Sequence, residues 1–262
     1  MFKKILNTVS SRLIAAIVNI LLLVFNSKTL GVEGVGAIGL ILAVCMLIVV
    51  VNDIFCGGGL AYLVPKYEMS SLLFFPVFFS LFNTFLVSVL FYYLKLFPYS
   101  QALYVFFLSF IFTLSSIGKI FLIGKEKINN LNQVELLQPL LMISFLGLYF
   151  LLTKKTSLTV YLSFLFLSYF FSTFYSFYKL YPFLKIKNLR IRFSIFKKII
   201  YYGFFNQLSS VAQQLNYRLN YFFIQKYLGL ASLGRYDVAT KISESSWIVS
   251  RSIAAVGLSV FS

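Results

Sequence analysis

Long uncharged, apolar runs constrain the fold of this chain more than any other feature of its sequence. Five such runs, each 18 to 26 residues long, occupy residues 34–52, 69–94, 96–118, 136–153 and 156–178. A helix that spans a bilayer needs about 20 mostly apolar residues. Hydrophobic residues make up 60% of the chain, against about 45–50% in soluble domains, which is more than a water-facing fold of this size can bury. The sequence therefore predicts an integral membrane protein and excludes a soluble enzyme.

Three less apolar helices complete the predicted set. They cover residues 9–30, with Arg12 near the start, residues 199–226 and residues 236–262. Lys3 and Lys4 precede the first helix, but no small-residue cleavage site follows, so this helix is interpreted as retained rather than as a signal peptide. We expect an all-α integral membrane protein with about eight transmembrane helices.

Positive charge is unevenly distributed between the predicted connections. With the amino terminus placed inside, the inner connections and helix ends carry fourteen Lys and Arg residues, and the outer ones carry six. This asymmetry fits the positive-inside rule and predicts a multi-pass protein with a cytoplasmic amino terminus. Most of the net charge of +16 then reflects topology, and the basic residues 179–198 face anionic lipid of the bilayer, so no nucleic acid is expected as a partner.

A glycine motif occurs twice at a fixed offset. Residues 30–36 read LGVEGVG and residues 228–234, 198 positions later, read LGLASLG, so both match LGxxxxG. Each copy follows the first helix of a predicted six-helix unit, as required of parallel repeats related by an axis along the membrane normal. The motif predicts a complete six-helix lobe in residues 1–190 and the first two helices of a second lobe in residues 191–262. About four or more helices of the second lobe are expected to be missing from the chain.

Ionisable side chains share one face of the predicted eighth helix. At 100° per residue, Asp237, Lys241, Glu244 and Arg251 fall within an arc of about 80°. A charge at the bilayer centre costs at least about 2.5 to 3.5 kcal/mol, so this face is expected to meet a bundle interior or a hydrated cavity. Two interpretations remain open. In one, the bases contact a ligand and an acid couples an ion; in the other, the acids pair with the bases and only hold helices together.

A polar sector covers more than half the circumference of the predicted seventh helix. It contains Asn206, Gln207, Ser209, Ser210, Gln213, Gln214, Asn216, Tyr217, Arg218 and Asn220. Packed membrane helices need only a few small or hydrogen-bonding residues, so this width favours the wall of a hydrated cavity, with Gln213, Gln214 and Arg218 as candidate contacts. Arg218 has a second interpretation, as a side chain that extends to the outer headgroups.

The predicted first helix carries a narrower polar stripe. Arg12, Asn19 and Asn26 recur every seven residues and so line one face. This helix is equivalent to the seventh in the repeat, and we therefore expect the stripe to line the same cavity. Arg12 alone can equally be an anchor at the inner surface.

Metal and thiol chemistry find no support in the sequence. The chain has no His, and its two cysteines, Cys45 and Cys56, lie in one apolar run. These residues cannot assemble a zinc site or a Cys/His nucleophile pair, so neither a metal nor a cofactor is predicted. Asp53, the glycines at positions 57–59 and Pro65 mark a bent end of the second helix, which is interpreted as a loop entry without ligand contact.

Four segments carry a resemblance to a known family. They are LGxxGxG at Gly31, Gly34 and Gly36, GLAYLVPK at residues 59–66, NYRLN at residues 216–220, and LGRYDVATK at residues 233–241. With these segments the chain resembles, over nearly all its length, oligosaccharide flippases of the Wzx type in the multidrug/oligosaccharidyl-lipid/polysaccharide exporter superfamily. Such proteins often read NRLD in the seventh helix, where this chain keeps Arg218 but has Asn220 in place of the acid.

The resemblance implies a transporter that flips an undecaprenyl-pyrophosphate-linked oligosaccharide across the bacterial cytoplasmic membrane for polysaccharide biosynthesis, beside a polysaccharide polymerase machinery. Its two lobes would alternate access to a central cationic cavity. In this interpretation Asp237 or Glu244 couples an ion. The substrate contacts are Arg12, Asn19, Asn26, Gln213, Gln214, Arg218, Lys241 and Arg251.

Two other functions remain as alternatives. A multidrug or cation antiporter of the same fold is expected to bind cations through acids, whereas the intramembrane bases of this chain match or outnumber its acids. A membrane enzyme of polysaccharide assembly needs a sizeable extramembrane site, and the predicted outer connections are too short to build one.

Overall fold

The computed structural model describes residues 2–184, 193–245 and Trp247, and within them every regular element is helical. Eight α-helices follow one another: α1 Phe2–Thr29, α2 Gly31–Cys56, α3 Gly58–Leu63, α4 Met69–Tyr93, α5 Ala102–Gly124, α6 Ile128–Thr153, α7 Leu158–Leu180 and α8 Phe193–Ser245. Short 3₁₀ turns at Tyr99–Gln101 and Tyr181–Phe183 precede α5 and follow α7.

Six helical segments of the described chain are long and apolar enough to cross a membrane. They are Leu6–Thr29, Gly31–Leu63, Met69–Tyr93, Tyr99–Gly124, Ile128–Thr153 and Leu158–Phe183. The chain is therefore an all-helical, multi-pass membrane protein. The predicted number of about eight spans is not confirmed. The predicted seventh span, residues 199–226, lies in α8, which is not apolar enough to count as a membrane span in the described residues. Of the predicted eighth span, residues 236–262, only residues 236–245 and Trp247 are described.

Two helix boundaries differ from the sequence prediction. The run at residues 96–118 becomes a helix only from Ala102 and continues to Gly124, since Pro98 and a 3₁₀ turn delay its start. The run at residues 136–153 begins eight positions earlier, at Ile128. Both helices thus take up a charged residue, Lys119 or Glu135, that the uncharged-run criterion had placed outside the membrane.

The bundle is organised around α2 and α5, which are the most buried of the six apolar segments, whereas α1 and α6 are the least buried. Core residues such as Val44, Ile48 and Leu108 are fully buried between these helices. Large apolar side chains on the outside, such as Leu148 and Leu152, are exposed, as is typical of helices that span a bilayer. The core therefore sits on α2, which is also the main contact of α8.

A glycine break separates α2 from α3 at the bent end that the sequence predicts. The Gly57 amide still donates to the Asp53 carbonyl at 2.7 Å, but its φ and ψ of −89° and −142° leave the helical region. Beyond the break, a Cβ added at Gly59 would lie 2.7 Å from the Gly203 Cα, and one added at Gly203 would overlap the Ile54 carbonyl oxygen. The first turns of α8 are thus in backbone contact with this bend.

A hydrogen bond also ties the start of α8 to the loop after α3. The Lys198 ammonium donates to the Tyr67 hydroxyl at 2.5 Å, and this hydrogen bond raises the pKa of Lys198 above its ordinary value. Further along, α8 bends at Gly229, whose φ of +79° interrupts the helix. Gly31, 198 positions earlier, has a φ of +72° and separates α1 from α2 in the same way. Glycine adopts such angles without the strain that a side chain would add, so the two copies of the motif share a positive-φ glycine that interrupts the helix.

Candidate functional site

A cavity of about 690 Å³ opens between α1, α2, α5, α6, α7 and the last turns of α8. Its polar lining consists of Arg12, Asn19, Asn26, Glu135, Gln138, Tyr161, Tyr169, Lys241 and Glu244. Apolar side chains such as Met46, Phe112 and Leu165 make up much of the remaining wall. The cavity thus combines a few convergent polar groups with an apolar and aromatic surface, which is typical of small-molecule sites.

An ion pair between α1 and α6 forms part of this cavity wall. Arg12 Nε lies 2.9 Å from Glu135 Oε2, and Arg12 Nη2 lies 3.2 Å from Glu135 Oε1, so the pair is bidentate. The two side chains keep only 18% and 24% of their exposure, which shields the pair from bulk water. Half-buried Lys119 of α5 interacts electrostatically with both partners. This cluster therefore carries two bases and one acid.

Neutral polar groups continue along the cavity on both sides of the pair. The Gln138 amide of α6 donates to the Ser168 hydroxyl of α7 at 3.2 Å. Asn26 is 5% exposed and lies within hydrogen-bonding reach of Tyr161, another lining residue. Asn19, which lies between Arg12 and Asn26 on α1, is exposed to the cavity. These groups can accept and donate hydrogen bonds to a polar ligand without adding charge.

The bend at Gly229 divides α8 into a first arm, residues 193–228, and a second arm, residues 230–245. A chain of polar contacts joins these two arms. Lys241 Nζ lies 2.6 Å from Asp237 Oδ2, and the Tyr221 hydroxyl donates to Asp237 Oδ1 at 3.0 Å. Arg218 Nη1 donates to the Tyr221 hydroxyl at 3.2 Å, and Arg218 Nη2 lies 3.7 Å from Glu244 Oε1. Asp237 is only 1% exposed, so two donors compensate its burial. Lys241 and Glu244, at the two ends of this chain, also line the cavity.

The structure brings together only part of the predicted site. Arg12, Asn19, Asn26, Lys241 and Glu244 line one cavity. Gln213, Gln214 and Arg218 are not among its lining residues, and Arg251 lies outside the described residues. Of the seventh-helix residues, Arg218 pairs with Glu244, which lines the cavity.

The amides of α8 have separate environments. Gln213 is exposed and donates to the Tyr217 hydroxyl at 3.3 Å, and Gln207 is buried and donates to the Val50 carbonyl at 3.3 Å. The Gln214 Oε1 and Arg218 Nε atoms are buried with no hydrogen-bond partner among the described residues. The polar sector of α8 therefore divides into a packing part and a part with unmet hydrogen-bonding capacity.

Pairing of acids with bases was one of the two interpretations of the eighth helix, and it describes the contacts found here. Arg12, Arg218 and Lys241 each have a carboxylate within 4 Å. Asp237 pairs with Lys241, as one interpretation expects, but Glu244 pairs with Arg218 of α8's first arm. A ligand that uses these bases must therefore compete with the carboxylates.

Glu135, Gln138, Tyr161 and Tyr169 line the cavity and were absent from the sequence-based site. Glu135 had a detectable signal, because it directly precedes an uncharged run and an acid there needs a partner. The tyrosines and the glutamine had none, since the sequence alone does not tell which face of α6 or α7 points inward.

A separate hydrogen-bond network lies in the core between α2, α4 and α5. The buried Asn52 amide donates to Thr84 Oγ1 at 2.8 Å and to Thr113 Oγ1 at 2.9 Å, and Asn83 donates to Asn52 Oδ1 at 2.6 Å. The Asn52 side chain thus has its hydrogen bonds satisfied, as expected of a group that holds membrane helices together.

The two glycine motifs contact each other where α2 crosses the second arm of α8. A Cβ added at Gly36 would overlap the Leu230 carbonyl oxygen, and one added at Gly234 would overlap the Val32 carbonyl oxygen. A Cβ added at Gly39 would lie 3.0 Å from Asp237 Cγ. The buried acid of the polar chain therefore sits at this crossing.

No family model matches the chain, and comparison with curated proteins and with solved structures likewise gives no match.

Proposed function

We propose that this chain belongs to a two-lobed membrane transporter that flips a lipid-linked oligosaccharide of the undecaprenyl-pyrophosphate type across the bacterial cytoplasmic membrane. In this proposal its amino terminus lies in the cytoplasm, and it acts in polysaccharide biosynthesis as a flippase of the Wzx type. The observation that carries the proposal is the polar cavity of about 690 Å³ among helices of a membrane bundle, which Arg12 and Glu135 line together with Lys241 and Glu244 of α8.

The cavity has the two kinds of group that a glycan requires. Asn19, Asn26 and Gln138 offer amide donors and acceptors for sugar hydroxyls. Tyr161 and Tyr169 add aromatic rings on which the apolar face of a sugar can lie, with a hydroxyl at the rim. Such groups suit the sugar part of the substrate better than its lipid.

The pyrophosphate needs positive charge, and in this proposal it obtains that charge by exchange. Arg12 binds Glu135 through two parallel hydrogen bonds, the geometry with which a guanidinium also binds a phosphate. A pyrophosphate that enters the cavity replaces Glu135 on Arg12, and Lys119 remains close by to balance the released carboxylate. Substrate binding and the contact between α1 and α6 are thereby linked.

The second arm of α8 supplies the movement. It reaches the cavity with Lys241 and Glu244, and it is attached to the first arm through the bend at Gly229. A substrate that pairs with Lys241 weakens the contact of Lys241 with Asp237 and leaves Asp237 to Tyr221. A proton taken up by Asp237 or Glu244 weakens the contacts of these acids with Tyr221 or Arg218 of the first arm. The position of this arm then depends on substrate and on a coupling ion, as alternating access requires.

One observation favours a second candidate, a multidrug or cation antiporter. Each base of the α8 chain and Arg12 already has a carboxylate partner, and the cavity wall contains Phe112, Tyr161 and Tyr169. Carboxylates and aromatic faces together attract organic cations. The two candidates differ in the role of Glu135. In a flippase Glu135 competes with the anionic substrate for Arg12, whereas in an antiporter it would bind the cation.

Binding to the Glu135→Gln variant separates them. The purified full chain is titrated with a fluorescent undecaprenyl-pyrophosphate oligosaccharide and, separately, with ethidium as a lipophilic cation. The flippase proposal expects the variant to bind the glycan lipid as well as the wild type or several-fold more tightly, because a competing carboxylate is gone. A wild type that binds ethidium but not the glycan lipid, together with a variant that has lost ethidium binding, would replace it with the antiporter.

A further inference from the structure

A second cavity, of about 480 Å³, lies where the α5–α6 connection meets the end of α7. One wall consists of Lys127 in the connection and Asn129 and Asn130 in the first turn of α6. The other consists of Lys179 in the last turn of α7 and Phe183 in the 3₁₀ turn that follows it. Three of the six apolar segments, Tyr99–Gly124, Ile128–Thr153 and Leu158–Phe183, have an end at this place. The cavity is thus at the boundary of the apolar bundle, at the end away from the glycine motifs.

The charge of the cavity is positive. Lys127 and Lys179 oppose the single acid Glu126, and the first turn of α6 carries no acidic residue. In the part of the chain that the structure describes, neither lysine takes part in an ion pair. Both ammonium groups instead lie near aromatic rings, Lys127 at 5.5 Å from the Phe183 ring centroid and Lys179 at 5.1 Å from that of Tyr175. Their charge is therefore available to an anion.

The surroundings fit a headgroup at the membrane surface. Tyr178 and Tyr181 flank the lining residue Lys179 and are 64% and 63% exposed. Tyrosines at such helix ends commonly lie at the level of the headgroups. The Asn129 and Asn130 amides are suited to phosphate and glycerol oxygens, and Phe183 is suited to the first carbons of an acyl chain.

We propose that this cavity binds the headgroup of an anionic phospholipid, of the phosphatidylglycerol or cardiolipin class, through Lys127 and Lys179. A basic pocket between membrane helices recognises such headgroups because its charge attracts the phosphodiester and its helix ends lie at the right depth. This site is separate from the cavity between α1 and α6, so its occupancy does not depend on the transported substrate.

Native mass spectrometry of the full chain in detergent tests the proposal. The delipidated protein is titrated with phosphatidylglycerol and with phosphatidylcholine of the same acyl chains. We expect the wild type to retain phosphatidylglycerol preferentially, and Lys127→Gln/Lys179→Gln to weaken that binding about tenfold or more, since each surface lysine contributes substantially to binding of anionic lipid. The pair Lys127→Arg/Lys179→Arg should keep the preference. Lys154→Gln/Lys155→Gln, which removes two exposed lysines in the α6–α7 connection, should bind as the wild type does.

Three results would overturn the assignment. The first is a wild type with no preference between the two lipids, and the second is equal loss of binding in the Lys127/Lys179 and Lys154/Lys155 pairs. The third is displacement of phosphatidylglycerol by millimolar inorganic phosphate, which would make this a site for free phosphate instead of a lipid. A Lys127→Gln/Lys179→Gln protein that elutes as one species with wild-type helical content shows that any loss is not unfolding.

Discussion

Gly36 and Gly234 lie in one helix crossing in reciprocal positions. Gly36 faces the carbonyl of Leu230, and Gly234 faces the carbonyl of Val32. Each glycine and each carbonyl has its counterpart exactly 198 positions away in the other copy of the LGxxxxG motif. A contact in which residue i meets residue j and the equivalent of i meets the equivalent of j is the mark of a two-fold relationship. The motif that the sequence repeats is thus also the surface through which its two copies meet.

Valine at either glycine is expected to destabilise the protein to a similar extent. The added side chain in Gly36→Val or Gly234→Val meets a backbone carbonyl, which cannot move without shifting a helix, so the cost is about 1–3 kcal/mol or more. Thermal unfolding can be followed by a thiol-reactive dye, because the native Cys45 and Cys56 are both buried and become reactive only on unfolding. Gly147→Val is the control, since nothing lies within 4 Å of a Cβ at that site. Equal unfolding temperatures for all three variants would show that the crossing is loosely packed.

The Arg12–Glu135 pair is expected to show strong coupling in a double-mutant cycle. Arg12→Gln or Glu135→Gln alone leaves a shielded charge without its bidentate partner, at a cost of about 1–3 kcal/mol, and the double variant removes both charges. The double variant should therefore be more stable than the sum of the single effects predicts. Lys119 affects the two single variants differently. It should balance the charge of Glu135 in Arg12→Gln, so Arg12→Gln should lose less stability than Glu135→Gln does. Additive effects would mean that the two side chains do not interact in the folded protein.

Cysteine labelling tests whether the cavity is hydrated. In a chain with Cys45 and Cys56 replaced by alanine, Asn19→Cys is expected to react with a membrane-impermeant maleimide, because Asn19 lines the cavity and is exposed there. Leu148→Cys is the matched control, since Leu148 is 62% exposed on the apolar helix α6 outside the cavity lining, where we expect it to face lipid and stay unlabelled. An unreactive Asn19→Cys beside a folded protein would indicate a dry helix contact. Gln213→Cys carries the same test to the first arm of α8, where Gln213 is exposed outside the cavity lining.

Substitutions in α8 distinguish charge from shape in transport. Arg218→Lys keeps the positive charge next to Glu244 and should keep partial export of glycan, whereas Arg218→Gln should lose most of it. The same contrast is expected at Arg251, which lies outside the described residues. Export is measured as surface glycan at matched protein levels. Wild-type export by the Gln variants at both positions would remove these bases from the mechanism.

Glu244→Gln is the informative variant for coupling. If Glu244 only neutralises Arg218, its loss should leave export largely intact, and if it carries a proton, export should stop while glycan binding persists. Asp237→Asn is expected to be more disruptive than Glu244→Gln, because buried Asp237 holds both Lys241 and the Tyr221 hydroxyl. Both the unfolding temperature and the export of glycan are therefore measured for Asp237→Asn.

The sequence predicted the membrane class, the six apolar spans and five of the nine polar residues that line the cavity, because these depend on composition and on the spacing of residues along a helix. Uncharged runs locate apolar helices, and the seven-residue spacing of Arg12, Asn19 and Asn26 places them on the single face that lines the cavity. The glycine offset similarly found two positions, Gly31 and Gly229, that share a positive φ.

The remaining features depend on partners that are distant in the sequence. A search for uncharged runs ends at a charge, so it placed Glu135 outside the membrane although Arg12, 123 positions away, makes its presence inside the bundle tolerable. The polar sector of α8 was predicted as one wall, but period alone cannot show that Gln207 packs against α2 while Gln213 faces outward. The tyrosines of α7 look like any other aromatic membrane residue until the neighbouring helix is known.

Reconstitution tests the proposed transport most directly. The full chain is placed in liposomes that contain a fluorescently labelled undecaprenyl-pyrophosphate oligosaccharide in both leaflets. A membrane-impermeant reductant is then added, which quenches the fluorescent label in the outer leaflet only. Transport predicts that, within minutes, quenching proceeds beyond the half of the signal that protein-free liposomes lose, and that Arg12→Gln/Glu135→Gln slows this second phase whereas Lys154→Gln/Lys155→Gln does not. Quenching that stops at the protein-free level, with folded protein present in the liposomes, would contradict the claim that this chain moves a lipid-linked glycan.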